Sequence, residues 1–196
     1  KSVLCQHFAY AALMDGYGVA YFSSQHSPTG LVNQMTSLGM DPSKFYRGNQ
    51  LMIMGIPILG TSSDYKAALV DLAGQVTEAA AGYHFIIVDD LAGITNRDEE
   101  SEIVRFLNQC KTLGGSGHSI VIAENPFGMS DDVLTRARSL SDEYLGLRAE
   151  KTWSRFNMVL EVFKVANAEF QTGNRVNFEV EPGMGIRVSA ISKVSA

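Results

Sequence analysis

Lys1 and Ser2 stand at the head of a helical pattern, and far downstream an apolar strand ends in Asp89-Asp90. A lysine and a hydroxyl residue at a helix start, with an aspartate at the tip of a buried strand, are parts of a site for a Mg²⁺-bound nucleotide. The lysine meets the β- and γ-phosphates, the hydroxyl ligates Mg²⁺, and the aspartate holds the metal's outer shell. Burying a carboxylate without a partner is costly. At Asp89 a metal-bound water would supply that partner; the other role open to this residue is to cap the segment that follows. Asp90 either orients a water or faces solvent. A Gly-x-x-x-x-Gly segment should precede such a lysine, and the expectation is that this loop and its feeding strand are missing before Lys1.

Other polar residues stand at strand ends. Gln25 and His26 follow the apolar run Val19 to Ser23. A nucleotide hydrolase needs a carboxylate at such a place to polarise the attacking water. Gln25 can orient water but is a poor base, so if this is the catalytic position, hydrolysis is slow. His26 is either a base or a solvated loop residue. Glu124-Asn125-Pro126 ends another apolar run, where a polar residue either senses the γ-phosphate or simply closes the strand. Lys164 ends the run Met158 to Phe163 and either reaches a neighbour's phosphates or sits solvated at a sheet edge. His7, His84 and His118 lack ligand spacing and read as structural. Trp153 is a lone contact point in a polar loop. The run Arg97, Asp98, Glu99, Glu100 and Glu102 reads as the charged first turn of a helix, where acids suit the helix dipole.

The elements that must position these residues follow from periodicity. Val3 to Asp15 reads as a helix stopped by Gly16. Ser27-Pro28 is an N-cap with proline at the first helical position; Leu31, Met35 and Leu38 then share one face up to Gly39. Leu51 to Ile58 is strand-like. Ser63 to Ala81 is a long helix with Tyr65, Leu69, Leu72 and Val76 aligned. Phe85 to Val88 is apolar throughout, the mark of a parallel strand covered on both faces. Glu99 to Leu113 is helical, Gly114 to Gly117 a turn, Ile120 to Ala123 a buried strand, and Asp131 to Leu140 a helix capped by Ser130. After this the pattern becomes all-β: Tyr144 to Leu147, Met158 to Phe163, Val176 to Val180 and Ile186 to Ile191, the last two joined by a turn over 181–185. The predicted fold is α/β, with a mostly parallel central sheet flanked by helices and a C-terminal antiparallel extension. Ligands in such sheets bind at the carboxyl ends of the parallel strands, where Ser23 to His26, Asp89-Asp90 and Glu124-Asn125 all fall.

Composition agrees with one such domain over residues 1–196. The chain is 45% hydrophobic and 19% charged, enough to build a real core. No apolar run has the roughly 18 residues of a membrane span. The net charge of −5 argues against a nucleic-acid surface built on bulk positive charge. Cys5 and Cys110 lack metal spacing and read as buried free thiols of a reducing compartment, the cytoplasm.

Taken with Tyr21 to Gln25, the run His84 to Asp89, Ser130 to Asp142, and the ending Gly173-Asn174 through Phe178 to Ser192, the opening Lys1 to Ala11 resembles the RecA/KaiC-type P-loop ATPases. Within them it is most similar to the ATP-binding family of the archaellum (archaeal flagellum) motor. The likeness runs over essentially the whole chain. It implies a RecA-like core that binds ATP and Mg²⁺, assembles into homo-oligomeric rings, and docks onto the archaellum motor ATPase and the membrane platform protein, meeting the membrane only through those partners. It implies that Lys1 and Ser2 are the phosphate-loop pair, that Ser2 and Asp89 serve the metal, and that Asn125 lies in the sensor region. Two positions depart from clock-type relatives. Their glutamate pair falls at Gln25-His26, and their Lys-x-Arg across the subunit interface reads Lys164-Val165-Ala166. An arginine finger contributes about 10³–10⁵ in rate, so both departures favour binding over turnover. The leading expectation is a regulatory or scaffold subunit with weak or no hydrolysis. An active KaiC/RecA-type ATPase is the alternative, and a scaffold with a decayed nucleotide site a third.

Overall fold

A computed structural model describes residues 1–60, 64–95, 99–125, 129–152, 155–165 and 175–189. Trp153, Pro126, Arg97, Asp98 and Ala166, together with the expected strand end at 190–191, lie outside the described residues.

The first half is an α/β layer structure. Helix α1 (Ser2–Met14) leads to strand β1 (Val19–Ser23), followed by α2 (Pro28–Ser37), α3 (Ser43–Arg47), β2 (Leu51–Gly55), α4 (Tyr65–Ala80), β3 (Phe85–Asp89), α5 (Glu100–Gly115), β4 (Ser119–Ala123) and α6 (Asp131–Leu140). The strands form one parallel sheet in the order β2-β1-β3-β4. The two central strands are apolar along their length and buried nearly throughout, as expected for strands roofed on both faces. Alternation along them divides the core. Val19, Tyr21 and Ile87 pack with Cys5, Ala9, Leu13, Leu31 and Met35 of α1 and α2. Ala20, Phe22, Ile86 and Val88 pack with Leu69, Leu72, Val76, Ile103, Phe106 and Val133 of α4, α5 and α6.

Local chemistry sets the ends of the helices. Ser27, Asp64 and Ser130 each accept a backbone N–H of the first turn, at 3.2, 2.9 and 3.3 Å, which satisfies one of the orphan donors there. Three expectations need correction. Strand β2 stops at Gly55 and does not reach Ile58. The glycines at 114 and 115 lie within the last turn of α5, where the turn was expected; the left-handed Gly117 ends it. Strand β4 lies at the edge of the order above and is only partly covered. The short helix α3 was not foreseen, because five residues carry too little periodicity to register.

The second half is a separate four-stranded antiparallel sheet: β5 (Glu143–Thr152), β6 (Arg155–Val165), β7 (Arg175–Glu181) and β8 (Gly185–Ser189), in that order. The β7–β8 hairpin returns to the first half. Gly183 N–H donates to Ser37 O at 2.8 Å, and Ile186 N–H donates to His7 Nε2 at 2.9 Å. Glycine is needed at this junction. A Cβ on Gly39 (φ +79°) would lie 2.4 Å from Gly183 O, and one on Gly185 (φ +76°) 2.4 Å from His7 Nε2.

Candidate functional site

The carboxyl ends of β1 and β3 meet the start of α1. Register alone brings the residues together, since Ser23 pairs with Asp89 across the two central strands. Ser2 Oγ donates to Asp89 Oδ1 at 3.1 Å, and the Tyr21 hydroxyl donates to Asp89 Oδ2 at 2.7 Å. Lys1 Nζ donates to Asp90 Oδ2 at 3.0 Å and to Glu124 O at 3.1 Å. Ser24 ties the neighbouring loop in: its N–H donates to Asp89 O at 2.9 Å, and its Oγ accepts the Asp90 N–H at 3.3 Å.

Both aspartates are buried. Asp89 does not cap the segment that follows. Asp90 does, accepting the Ala92 N–H at 2.9 Å at the start of a 3₁₀ turn, Leu91–Gly93. Thus Asp90, for which solvent exposure was one expectation, is inside and ion-paired with Lys1. The peptide between the two aspartates is cis. Burial raises the Glu124 carboxyl above the usual carboxylate range, against the pull of Lys1 and Arg138. Burial, and then the charge of Asp89, pushes the Cys5 thiol up to about 12, so it stays neutral beneath the site. The same two causes hold the Tyr21 phenol well above its ordinary value and keep its proton in place as a donor.

The other expected site residues are placed as follows. Gln25 lies at the rim with an exposed side chain. The backbone N–H groups of Gln25 and His26 donate to Ser23 Oγ at 3.3 and 3.1 Å, so the buried Ser23 holds the loop that presents them. Asn125 is half-buried just beyond Glu124, next to the carbonyl that Lys1 grips. Lys164 is not brought into this cluster. Its ammonium donates to Arg138 O, Ser139 O and Ser141 O at 2.9, 3.2 and 2.6 Å, neutralising the C-terminal end of α6. His7 is an acceptor for the hairpin, and His118 lies between the carbonyls of Leu113 and Ala80 while stacking on His84.

Tyr21 was missed. The available signal was a lone tyrosine in an otherwise apolar strand, two residues before Ser23 and therefore on the same pleat face. A buried phenol needs a partner, and Asp89 is the group within its reach.

Three comparisons bear on this arrangement. A model of the KaiC ATPase family matches residues 1–193. The chain belongs to the KaiC ATPase family. Among relatives, the archaeal flagellar ATP-binding protein FlaH of Methanococcus voltae is 27% identical over 194 residues, covering 98% of this chain and 84% of the relative. The FlaH of Methanocaldococcus jannaschii is 27% identical over 195 residues, covering 98% and 82%. The solved structure of flagellar accessory protein FlaH from M. jannaschii superposes with a TM-score of 0.76 at 23% identity, over 97% of this chain and 84% of that one. A KaiC-like protein from Pyrococcus horikoshii gives 0.73 at 16% identity, over 96% and 83%. These structures share the fold: a parallel sheet between helices, with an antiparallel sheet following.

The donor set suits a small, hard cation. Ser2 and Asp89 present oxygen, the ligand that Mg²⁺ prefers. Among the described residues, Ser2 and Tyr21 each give buried Asp89 a neutral hydroxyl, so its charge has room for a cation or its waters. Among the described residues no group of three or more His, Cys, Asp and Glu side chains could hold a metal by itself. A Mg²⁺ ion here would take most of its shell from phosphate and water, as it does in phosphoryl-transfer sites.

Proposed function

We propose that this protein is an ATP-binding regulatory or scaffold subunit of the archaeal flagellum motor, and that it binds Mg²⁺-ATP with weak or no hydrolysis. Lys1 would meet the β- and γ-phosphates, Ser2 and Asp89 would hold Mg²⁺, and Asn125 would stand near the γ-phosphate. The observation that carries the reading is the convergence of Ser2, Asp89 and Lys1 at the carboxyl ends of β1 and β3. The names of the FlaH relatives, which match nearly the whole chain, supply the biological setting.

When bound, Mg²⁺ would neutralise charge on the phosphates and bridge them to the protein. The chain's own residues would orient and hold. Lys1 is already aimed across the strand ends by Asp90 and the Glu124 carbonyl. The position after β1 that would hold the base is not a carboxylate. Gln25 stands there, and it carries no proton-accepting charge. Binding without efficient turnover follows, and nucleotide would act by changing which partners bind. In this reading the protein works in the cytoplasm, as a homo-oligomeric ring on the motor ATPase and the membrane platform protein. No described helix is long and apolar enough to cross a membrane.

The test is Gln25→Glu. If Gln25 holds the place of the catalytic base, the variant hydrolyses ATP at least about 10²-fold faster, the usual contribution of general base catalysis. An unchanged rate with ATP still bound would remove Gln25 from the chemistry.

A further inference from the structure

We propose that Tyr21 is a positioning residue of the metal site, acting through Asp89; this rests on the nucleotide reading above. Tyr21 is completely buried in the central strand β1. It stands two residues before Ser23, the register partner of Asp89, so its ring lies diagonally across from the strand tip. A tyrosine is long enough to span that diagonal, and the hydroxyl arrives 2.7 Å from Asp89 Oδ2.

The consequence is a division of labour between the two carboxylate oxygens. Oδ2 is held from below by Tyr21, while Oδ1 faces Ser2 at 3.1 Å. With one oxygen fixed, the carboxylate plane cannot turn, and Oδ1 stays aimed at the hydroxyl that would ligate Mg²⁺. A shorter residue on β1 could not reach, and phenylalanine would fill the space without making the bond. Burial supplies the remaining condition: no solvent reaches Tyr21 to compete for the phenol proton. Partners of this kind, one step behind the ligands, typically contribute 10- to 100-fold in metal affinity.

The experiment is Tyr21→Phe, which conserves volume and removes only the hydroxyl. Binding of a fluorescent ATP analogue is followed as Mg²⁺ is titrated, and again in EDTA. The expected result is a Mg²⁺ midpoint raised about 10- to 100-fold, with Mg²⁺-free nucleotide binding within about twofold of wild type. In an Asp89→Asn background the same substitution should leave the Mg²⁺ midpoint unchanged, because the group it positions is gone. A midpoint within twofold of wild type in the single variant would overturn the proposal and leave the nucleotide site standing. An equal loss with and without Mg²⁺ would also overturn it, making Tyr21 a packing residue. A wild-type protein whose nucleotide binding ignores Mg²⁺ would instead overturn the metal reading itself.

Discussion

The Lys1 ammonium lies 3.0 Å from Asp90 Oδ2, and its second bond goes to the Glu124 carbonyl. The ammonium that would meet phosphate in the proposed reading is thus held between the ends of β3 and β4. In the proposed reading a phosphate would compete with Asp90 for this ammonium, while Asp90 goes on capping the turn at Leu91–Gly93.

Lys1→Met should therefore act twice. It leaves Asp90, whose side chain is 8% exposed, without its counter-charge. For a fully buried pair that costs 3–5 kcal/mol. Lys1 is about a third exposed, so solvent screening reduces the expected loss to roughly 1–2 kcal/mol. Nucleotide affinity should fall about 10- to 100-fold, the worth of a charge-assisted bond. Chemical denaturation and a nucleotide titration on the same variant check both effects.

The hairpin junction predicts a pH effect of definite sign. Burial lowers the His7 pKa below 6.5, and its Nε2 accepts the Ile186 N–H, so the folded state keeps this ring neutral. Because the folded pKa lies below the unfolded one, the contribution is fully present above about 6.5 and is lost as pH falls through the folded value. Gln at this position can accept a bond but does not titrate. The stability advantage of wild type over His7→Gln should shrink as pH is lowered from 7.5 to 5, as read from thermal melts; a constant difference would contradict the assignment.

Gly39→Ala should be strongly destabilising. The position has φ +79°, and the new Cβ would meet the backbone oxygen of Gly183 at 2.4 Å. A left-handed residue strains alanine, and overpacking against backbone adds to it, so the loss is roughly 2 kcal/mol or more. Gly74→Ala should do the reverse. Gly74 lies inside α4, and nothing stands within 4 Å of a Cβ there, so the helix gains about 0.5–1 kcal/mol. Denaturation midpoints for the pair test both signs.

Much of this was legible in the chain, for identifiable reasons. Val19–Ser23 and Phe85–Asp89 carry continuous apolar runs bounded by polar residues, and that pattern fixes both strand and burial. Ser27 and Ser130 announce helix starts through their own side-chain chemistry. Lys1, Ser2 and Asp89 could be grouped because strand ends in an α/β sheet share one edge. What could not be read depended on a second element. The burial of Asp90 needs Lys1 and Glu124 from two other parts of the fold. The role of Tyr21 needs the register between β1 and β3. Lys164 could be read only as reaching a neighbour's phosphates or as a solvated edge lysine, because the α6 carbonyls that hold it come from a helix of unknown approach. The antiparallel strands were visible singly, but not that they form a sheet of their own.

The proposed function requires that this site hold Mg²⁺-ATP and turn it over slowly. The direct measurement is the chemical state of retained nucleotide: the protein is incubated with labelled Mg²⁺-ATP, separated, and the bound nucleotide identified over time. Intact ATP, held for many minutes by wild type and lost from Asp89→Asn, is the predicted result. Bound ADP with released phosphate, or no nucleotide retained by wild type, would contradict it.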